Sequence, residues 1–269
     1  MKWQTLRKAL FGAALTASIA LLAACGNSTT SKTSGTFKDD LVTKDTLTIG
    51  LEGTYKPYSY RENNKLVGFE VDLGKAVAKQ MGVKAEFKPT KWDSLIAGLG
   101  AGKFDLVLNN ITQSPERAKS YLFSDVYTYS HYVLISPTSK PITKIADIKG
   151  KKLGESTGSD NAIVAKKYGA TVVPVENFTT DLQMIKDGRI DANINAAPSW
   201  YAYKADHATK GLTMTELPSS EVAPAKVSGL LNKKSTKLQK RVNKALKVLR
   251  KNGTLKQLSM KYFGADITK

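Results

Sequence analysis

The chain is poor in cysteine and histidine. Its 269 residues include one cysteine, Cys25, and two histidines, His131 and His207. A single cysteine excludes a disulfide within the chain, so the fold must be stabilised by packing. Neither histidine lies in a recognisable motif, and the sequence contains no metal-ligand cluster, no phosphate-binding glycine loop and no nucleophile-elbow pattern. We therefore expect no metal, no cofactor and no catalytic residue.

Acidic residues are scarce relative to basic ones. There are 23 Asp and Glu against 41 Lys and Arg, which gives a formal net charge of +18. Such an excess could indicate a nucleic-acid partner, but the export signal described next argues against one. Two simple explanations account for the charge: a basic surface that faces an anionic cell envelope, or the solvent-exposed face of a basic helix. We expect no nucleic acid to bind.

Residues 1–24 have the pattern of a secretory leader. Basic residues precede a run of apolar and small residues from Ala9 to Ala24, which is too short for a permanent membrane-spanning helix. The run ends in LAAC at residues 22–25, which resembles the lipobox of bacterial lipoproteins, where the cysteine is lipidated. The resemblance implies a lipid anchor at Cys25 on the outer face of a bacterial cell membrane. The alternative is an ordinary cleavage site followed by a buried free cysteine.

Residues 25–44 are predicted to be a flexible tether. This segment is rich in Ser, Thr, Lys and Gly and has few apolar residues. The rest of the chain has no second apolar stretch long enough to cross a membrane, so the expected anchor is lipid alone. Residues 45–269 are numerous enough to form two modest lobes, each with its own core.

Strands and helices alternate in the first part of the folded region. Residues 47–50 and 83–87 show the alternation of strands, and they flank a helix predicted from Phe69 to Met81. Asp93 caps the next helix, which leads into an apolar strand at residues 104–108. This order predicts a mainly parallel sheet with helices on both faces. Ligands of such folds lie beyond the carboxyl ends of the strands.

The same alternation returns farther along the chain. Strands are predicted at residues 152–154, 171–175 and 190–195, and helices after residues 158–161 and around 181–185. Residues 226–231 have the pattern of a strand that returns to the first lobe, and two amphipathic helices follow it. The predicted organisation is one lobe from residues 45–134 plus 227–269 and a second lobe from residues 135–226.

The most informative segment is residues 109–117. An apolar strand ends at its start, and Ser114, Pro115 and Glu116 follow in the order of helix N-cap, first-turn proline and early acidic residue. The positive end of a helix dipole favours an anion here, and the planar guanidinium of Arg117 fits a carboxylate at two points. Taken alone, Arg117 could be a surface ion-pair residue. Its position at a strand end predicts a carboxylate site.

Several longer motifs are specific to one family. They are GTYKPY at 53–58, GFEVDL at 68–73, KWDSLIAGL at 91–99, Thr112 with PER at 115–117, FS at 123–124, GRIDA at 188–192 and KYFG at 261–264. On these motifs, residues 45–264 resemble the extracellular solute-binding protein family that serves polar amino-acid ABC importers. The resemblance implies an α/β fold of the type II periplasmic-binding-protein kind, with two α/β lobes joined by two crossing hinge strands near residues 131–136 and 225–230. It also implies an amino-acid ligand, an ABC permease and its ATPase complex as partners, and a monomeric state.

The resemblance assigns roles position by position. Arg117 would bind the α-carboxylate of the ligand, helped by Thr112 and by backbone N–H groups near Gly158 and Ser159. Asn110 would meet the α-amine. The complete set of candidate ligand-binding residues is Glu52, Tyr55, Trp92, Asn109, Asn110, Thr112, Arg117, Gly158, Ser159, Asp160, Asn161 and Asn195.

Three of these residues would shape the rest of the pocket. Glu52 lies at the position where members of the family recognise the side chain of the ligand. Tyr55 and Trp92 would wall the pocket, because they flank turn and cap positions. Core packing is the alternative for both aromatic residues.

One position departs from the family pattern. The family usually has an acidic residue after the GRIDA strand that binds the α-amine, and Ala196 stands there in this chain. A buried ammonium without an anionic partner is costly. Either Glu52 or Asp160 takes the role, assisted by Asn195, or the ligand lacks an ordinary α-amine. The KWD block at residues 91–93 resembles members that bind cystine, so cystine is the first candidate ligand.

The expected function is that of a receptor without enzymatic activity, which captures an amino acid outside the cell, closes on it and delivers it to a permease. Two alternatives belong to other classes. A surface adhesin would need only the basic charge and the lipid anchor. A prephenate-type dehydratase would need a general acid or base, and Glu52 is the only obvious candidate.

Overall fold

The computed structural model describes residues 36–269. The predicted leader at residues 1–24, the predicted lipidation site Cys25 and the tether as far as residue 35 lie outside the described residues. The structure differs from the predicted tether after that point. A short 3-10 helix forms at Phe37–Asp40, because Phe37 and Leu41 pack against the hydrophobic core and the Asp40 carboxylate accepts a hydrogen bond from the backbone N–H of Leu238 (3.1 Å).

The described residues form fourteen strands and eight α-helices. The strands are β1 (Thr46–Leu51), β2 (Tyr60–Glu62), β3 (Lys65–Val67), β4 (Lys84–Pro89), β5 (Leu106–Val107), β6 (Tyr121–Phe123), β7 (Thr128–Ser130), β8 (Tyr132–Pro137), β9 (Lys152–Glu155), β10 (Thr171–Pro174), β11 (Asn193–Ala196), β12 (Leu212–Glu216), β13 (Ala225–Val227) and β14 (Leu230–Asn232). The helices are α1 (Phe69–Met81), α2 (Trp92–Gly100), α3 (Pro115–Ser120), α4 (Asp160–Lys167), α5 (Phe178–Lys186), α6 (Ala197–Asp206), α7 (Thr236–Lys251) and α8 (Thr254–Phe263). Helix α1 has the predicted bounds.

Five strands form the first sheet, in the order β4-β1-β5-β14-β6. Strand β1 is parallel to β4 and to β5, whereas β14 is antiparallel to β5 and β6. The parallel βαβ arrangement predicted for this region is therefore confirmed. Because Gly50 of β1 pairs with Val107 of β5, Glu52 and Asn109 follow two neighbouring strands at the same edge of the sheet. We call the part of the molecule built on this sheet the first lobe.

The second lobe is built on β8 to β12. Strand β8 lies between β11 and β12 and is antiparallel to both, and β9 pairs with β10 in parallel. A parallel bridge between Leu153 and Ala192 joins the two groups of strands. Residues 133–135 of β8 are fully buried, which fits a central strand.

Two short antiparallel strands run between the lobes. Strand β7 leads into β8 of the second lobe, β13 leads towards β14 of the first, and Ser130 pairs with Ala225. They lie close to the hinge regions implied by the resemblance. Residues 134 and 135 both belong to β8, and residues 226 and 227 both belong to β13. The lobe boundaries placed between these residues stay predictions.

The helices at the end of the chain pack on the first lobe. Helix α7 buries a stripe that includes Leu238, Val242 and Leu249, as its 3.6-residue periodicity predicts. Lys240 and Lys244 on the same helix are exposed. Between residues 36 and 269, no helix is both long enough and apolar enough to cross a membrane.

Candidate functional site

A cavity lies between the strand ends of the first sheet and the second lobe. Its volume is about 790 Å³ when the open mouth is included. Eleven of the twelve candidate residues line it, namely Glu52, Tyr55, Trp92, Asn109, Asn110, Thr112, Arg117, Ser159, Asp160, Asn161 and Asn195. The twelfth, Gly158, contributes its backbone carbonyl to a hydrogen bond with Arg117. The structure thus brings the predicted residues together, and the ligand contact of each one stays a prediction.

Arg117 is positioned by a capped helix N-terminus. Ser114 is the N-cap of α3, and its Oγ accepts the backbone N–H of Arg117 at 3.2 Å. The guanidinium donates from Nη1 to the carbonyl of Thr112 at 3.0 Å and from Nη2 to the carbonyl of Gly158 at 2.9 Å. Burial lowers the pKa of Arg117 from its ordinary value, and nearby Asp160 opposes that shift.

Arg117 has N–H donors beyond those used in its two hydrogen bonds to backbone carbonyls. A guanidinium carries five N–H groups, and its two carbonyl partners leave the others open. Its side chain makes no ion pair of 4 Å or less with any carboxylate in residues 36–269, so the structure does not support the alternative of a surface ion-pair residue. Instead, the guanidinium carbon lies 5.8 Å from the centre of the Trp92 ring. The arrangement suits a carboxylate that enters the cavity.

The two aromatic candidates face the cavity and also bond to the second lobe. Tyr55 stacks on Tyr58 with ring centres 5.1 Å apart, and its hydroxyl donates to Asn195 Oδ1 at 2.7 Å. Trp92, the first residue of α2, donates from Nε1 to the carbonyl of Thr157 at 2.8 Å. Tyr55 therefore takes part in core packing and in the cavity wall at once.

Glu52 and Asn109 hold each other in place at the ends of β1 and β5. The Asn109 amide donates to Glu52 Oε2 at 2.7 Å, and the backbone N–H of Glu52 donates to Asn109 Oδ1 at 2.8 Å. Burial raises the pKa of Glu52 above its ordinary value, while the hydrogen bond from Asn109 lowers it. This carboxylate reaches the cavity with one oxygen engaged.

Asn110 has a left-handed backbone with φ of 49°, which asparagine tolerates better than most residues. Its backbone N–H donates to Glu70 Oε1 at 2.7 Å, and the hydroxyl of Tyr127 donates to the same oxygen. The side-chain oxygen of Asn110 is buried and has no hydrogen-bond partner among the described residues. An acceptor of this kind fits a donor on a ligand.

The turn before α4 differs in detail from the expectation. Ser159 caps the helix by accepting the backbone N–H of Ala162 at 3.1 Å, and its own backbone N–H donates to the carbonyl of Ser156 at 3.0 Å. Because that N–H is already bonded, it is not free for a ligand carboxylate in this arrangement. Asp160 accepts a hydrogen bond from the hydroxyl of Tyr132, a cavity residue that sequence reasoning missed.

Sequence reasoning also missed the polar residues on the far side of the cavity. Glu155 at the end of β9 and Asp181 on α5 both line the cavity. Asn193 on β11 donates to Asp181 Oδ2 at 3.2 Å and to Glu155 Oε2 at 3.4 Å. Other lining residues outside the predicted set are Thr54, Ser130, Ser156, Asn177, Phe178, Ala196 and Ala225. No local sequence pattern indicates that Glu155 and Asp181 meet, because they lie 26 residues apart on a strand and a helix.

Side-chain contacts bridge the two lobes around the cavity. Besides the bonds from Tyr55, Trp92 and Arg117, Lys56 pairs with Asp206 at 2.6 Å and Lys91 with Glu176 at 2.7 Å. The two lobes are therefore held together around the cavity.

A family model for bacterial extracellular solute-binding proteins, family 3, matches residues 47–265. The chain belongs to this family. The family and the relatives described next are binding proteins rather than enzymes.

Two curated relatives of this solute-binding protein are named for cystine. It is 36% identical to the L-cystine-binding protein TcyA of Bacillus subtilis, an alignment that covers 98% of this chain and 100% of TcyA. It is 38% identical to the L-cystine-binding protein TcyJ of Escherichia coli K12, covering 84% of this chain and 85% of TcyJ. The predicted resemblance to cystine-binding members is confirmed.

A solved structure supports the fold. An ancestral arginine-binding protein bound to arginine is 35% identical, with a TM-score of 0.74, and the match covers 82% of this chain and 99% of that one. The solute-binding protein has the type II periplasmic-binding-protein fold, with two α/β lobes joined by two hinge strands, as the motifs predicted.

Proposed function

We propose that the protein is the substrate-binding component of an amino-acid ABC importer and that its ligand is cystine. The single observation that carries the proposal is the Arg117 guanidinium, which faces the cavity with unused donors between two lobes. The names of TcyA and TcyJ favour cystine over other amino acids. The arginine-bound neighbour makes arginine the first ligand to test against it.

The ligand α-carboxylate binds Arg117. The guanidinium offers two parallel N–H donors, which match a carboxylate in geometry as well as in charge. Thr112 lies beside it and presents its side chain to the same cavity. The Trp92 ring packs near the guanidinium and shields the ion pair from solvent.

The remaining groups bind the polar body of the ligand. Asn110 offers its free side-chain oxygen, and Glu52 offers a carboxylate held in place by Asn109. A ligand that touches both lobes binds the closed arrangement better than an open one, so binding shifts the population towards closure.

The setting of the protein completes the proposal. It is held at the outer face of a bacterial cell membrane by a lipid on Cys25, which follows from the LAAC motif. It works as a monomer that delivers the amino acid to an ABC permease and its ATPase complex. It binds no nucleic acid.

The carboxylate site is tested by calorimetric titration of the Arg117→Ala variant. We expect no measurable binding of any amino acid, with an unchanged circular dichroism spectrum, because Arg117 is half-buried and is not a member of a buried hydrophobic cluster. Lys119→Ala is the matched control, since Lys119 is an exposed basic residue on the same helix. If Arg117→Ala and the control bind equally well, the carboxylate assignment is wrong.

Ligand identity is tested on protein purified without denaturation. Mass spectrometry identifies the retained ligand, and thermal shifts compare cystine with glutamine, histidine, arginine and glutamate. We expect cystine to be retained and to give the largest shift. A shift with arginine and none with cystine would contradict the choice of cystine and leave the amino-acid receptor in place.

The proposal includes no catalytic step. Glu52, the candidate general acid or base, is hydrogen-bonded to Asn109 in a chain whose relatives TcyA and TcyJ are binding proteins. Turnover of prephenate or arogenate by the purified protein would contradict this part of the proposal.

A further inference from the structure

Two carboxylates meet in the second lobe without a cation. Glu155 is 1% exposed and Asp181 is 2% exposed, and both line the cavity. Among residues 36–269, neither one pairs with a lysine, arginine or histidine within 4 Å. Two buried like charges that face each other are unfavourable unless one is protonated or a cation arrives.

The hydrogen bonds inside this group leave it incomplete. Glu155 Oε1 accepts a hydrogen bond from the backbone N–H of Ile194 at 2.7 Å. The Asn193 side-chain amide donates hydrogen bonds to Glu155 Oε2 and to Asp181 Oδ2. Asp181 Oδ1 is buried and has no partner within the described residues. A Cβ atom at Gly154 would lie 2.2 Å from this oxygen, so the glycine is what allows the carboxylate to lie there.

The electrostatics point the same way. Burial raises the pKa of Asp181 to about 8, and burial together with Asp181 raises the pKa of Glu155 well above its ordinary value. Among residues 36–269, the charged group that raises the pKa of Glu155 is Asp181. A cation that enters the cavity would restore both carboxylates to their charged forms.

The acid pair also offers a partner for the ligand ammonium group, for which Ala196 provides no carboxylate. Asn193 and Asn195 lie on one face of β11, and Asn195 connects to the hydroxyl of Tyr55. Polar groups therefore run from the acid pair to the cavity wall of the first lobe. Glu52 and Asp160, the acids expected to replace the missing one, already accept hydrogen bonds from Asn109 and Tyr132.

We infer that Glu155 and Asp181 together bind an ammonium group of the ligand, in place of the acidic residue that the family usually has at the position of Ala196. This inference rests on the proposed function. It makes the ligand a molecule with a carboxylate for Arg117 and an ammonium group for the acid pair.

The test is a set of titrations with two probes that differ only in the ammonium groups. L-cystine carries them, and 3,3′-dithiodipropionic acid keeps its carboxylates and disulfide without them. The variants are Asp181→Asn and Glu155→Gln, which keep the side-chain shape. The control is Asp187→Asn, because Asp187 is an exposed acid at the end of the same helix.

We expect each variant to lose at least about tenfold in affinity for cystine, the usual effect of removing a hydrogen bond to a charged group. The affinity for dithiodipropionic acid should not fall, and the control should match the wild type with both probes. The melting temperature should not fall either, because each variant removes a group whose charged form is unfavourable where it is buried. Wild-type binding should release protons, seen as a buffer-dependent enthalpy, and Asp181→Asn should reduce that release.

Further probes show which ammonium group of the ligand the acid pair binds. S-Methylthio-L-cysteine has one ammonium group next to its carboxylate. If the variants weaken its binding, the acid pair binds the α-ammonium beside the carboxylate site, and if they weaken only cystine, it binds the second ammonium. L-Arginine and 5-guanidinovaleric acid provide the same contrast for a basic ligand.

The outcomes distinguish this inference from the proposed function. If the wild type binds cystine or arginine and both variants bind with unchanged affinity and proton release, the acid pair is structural and the inference is wrong. It is equally wrong if the variants weaken dithiodipropionic acid as much as cystine. If the wild type binds no amino acid at all, the proposed function itself is wrong.

Discussion

The two faces of the cavity are built differently. On the first lobe, Arg117 is held by the carbonyl of Thr112, five residues before it, and Glu52 bonds to Asn109 at the end of a neighbouring strand, 57 residues away. On the second lobe, Glu155 and Asp181 come from a strand and a helix that are 26 residues apart in the chain, and one amide serves both of them. The position of Arg117 can be read from consecutive residues, whereas the meeting of Glu155 and Asp181 exists only in three dimensions.

The difference also concerns charge. Burial lowers the pKa of Arg117 on the first face and raises the pKa of Asp181 to about 8 on the second. Each face therefore has an ionisable group whose charged form is costly without a partner, and the two charged forms have opposite signs. A ligand with both a carboxylate and an ammonium group would relieve both at once.

Arg117→Lys tests whether the first face needs a planar fork or only a positive charge, and its expected effect on affinity is second to that of Arg117→Ala. We expect a loss of about 100-fold in amino-acid affinity by calorimetry, since lysine cannot donate two parallel N–H groups to one carboxylate. Lys119→Arg, on the same helix, is the control and should change nothing. Affinity within threefold of the wild type would show that charge alone is enough.

The pH dependence of stability tests the second face. The folded-state pKa of Asp181, about 8, lies above its ordinary value near 4, so the folded protein binds a proton more tightly than the unfolded chain. The stabilisation is therefore complete at low pH and is lost as pH rises through 8. We expect the free energy of unfolding without ligand to fall by on the order of 1–3 kcal/mol between pH 6 and 9.

Asp181→Asn separates this contribution from others. Glu70 in the first lobe, with a pKa of about 7, acts in the same direction and will leave a residual slope. The variant should flatten the upper part of the curve, measured by urea denaturation at each pH. An identical curve for the variant and the wild type would mean that Asp181 carries no buried charge, and the contrast between the two faces would fail.

Much of the first face could be predicted from sequence. The bounds of α1, the cap at Ser114 and the place of Arg117 all depend on neighbours within a few residues, so local patterns fix them. The same holds for the buried stripe of α7.

The second face could not be predicted in the same way. The sequence pattern predicts a strand just before Glu155 and a helix that contains Asp181, but nothing in either local pattern shows that the two residues meet. Tyr132 was missed for the same reason, since its partner Asp160 lies 28 residues away. Long-range pairing decides these contacts, and one sequence contains no record of it.

Tyr55→Phe tests the link between the faces. It removes the hydroxyl that donates to Asn195 and keeps the ring that stacks on Tyr58. A single hydrogen bond of this kind contributes about 0.5–1.5 kcal/mol, so we expect affinity to fall about threefold to tenfold. Small-angle scattering of the ligand-free variant should show a larger radius of gyration, because the closed arrangement has lost a contact.

The control for that variant is Tyr201→Phe, since Tyr201 is 54% exposed. It should leave both affinity and scattering unchanged. If Tyr55→Phe behaves like this control, the two faces are coupled through the ligand alone.

The smallest effect is expected at the rim, where Lys91 of the first lobe pairs with Glu176 of the second. Their side chains are 79% and 61% exposed, so solvent and salt screen the attraction between the two charges. Holding two long side chains in one geometry also costs conformational entropy. Lys91→Ala, Glu176→Ala and the double variant form a cycle, and we expect a coupling of less than about twofold in affinity at physiological salt. A coupling of tenfold that disappears at high salt would contradict this, and it would make the rim, rather than the buried faces, the place where closure is controlled.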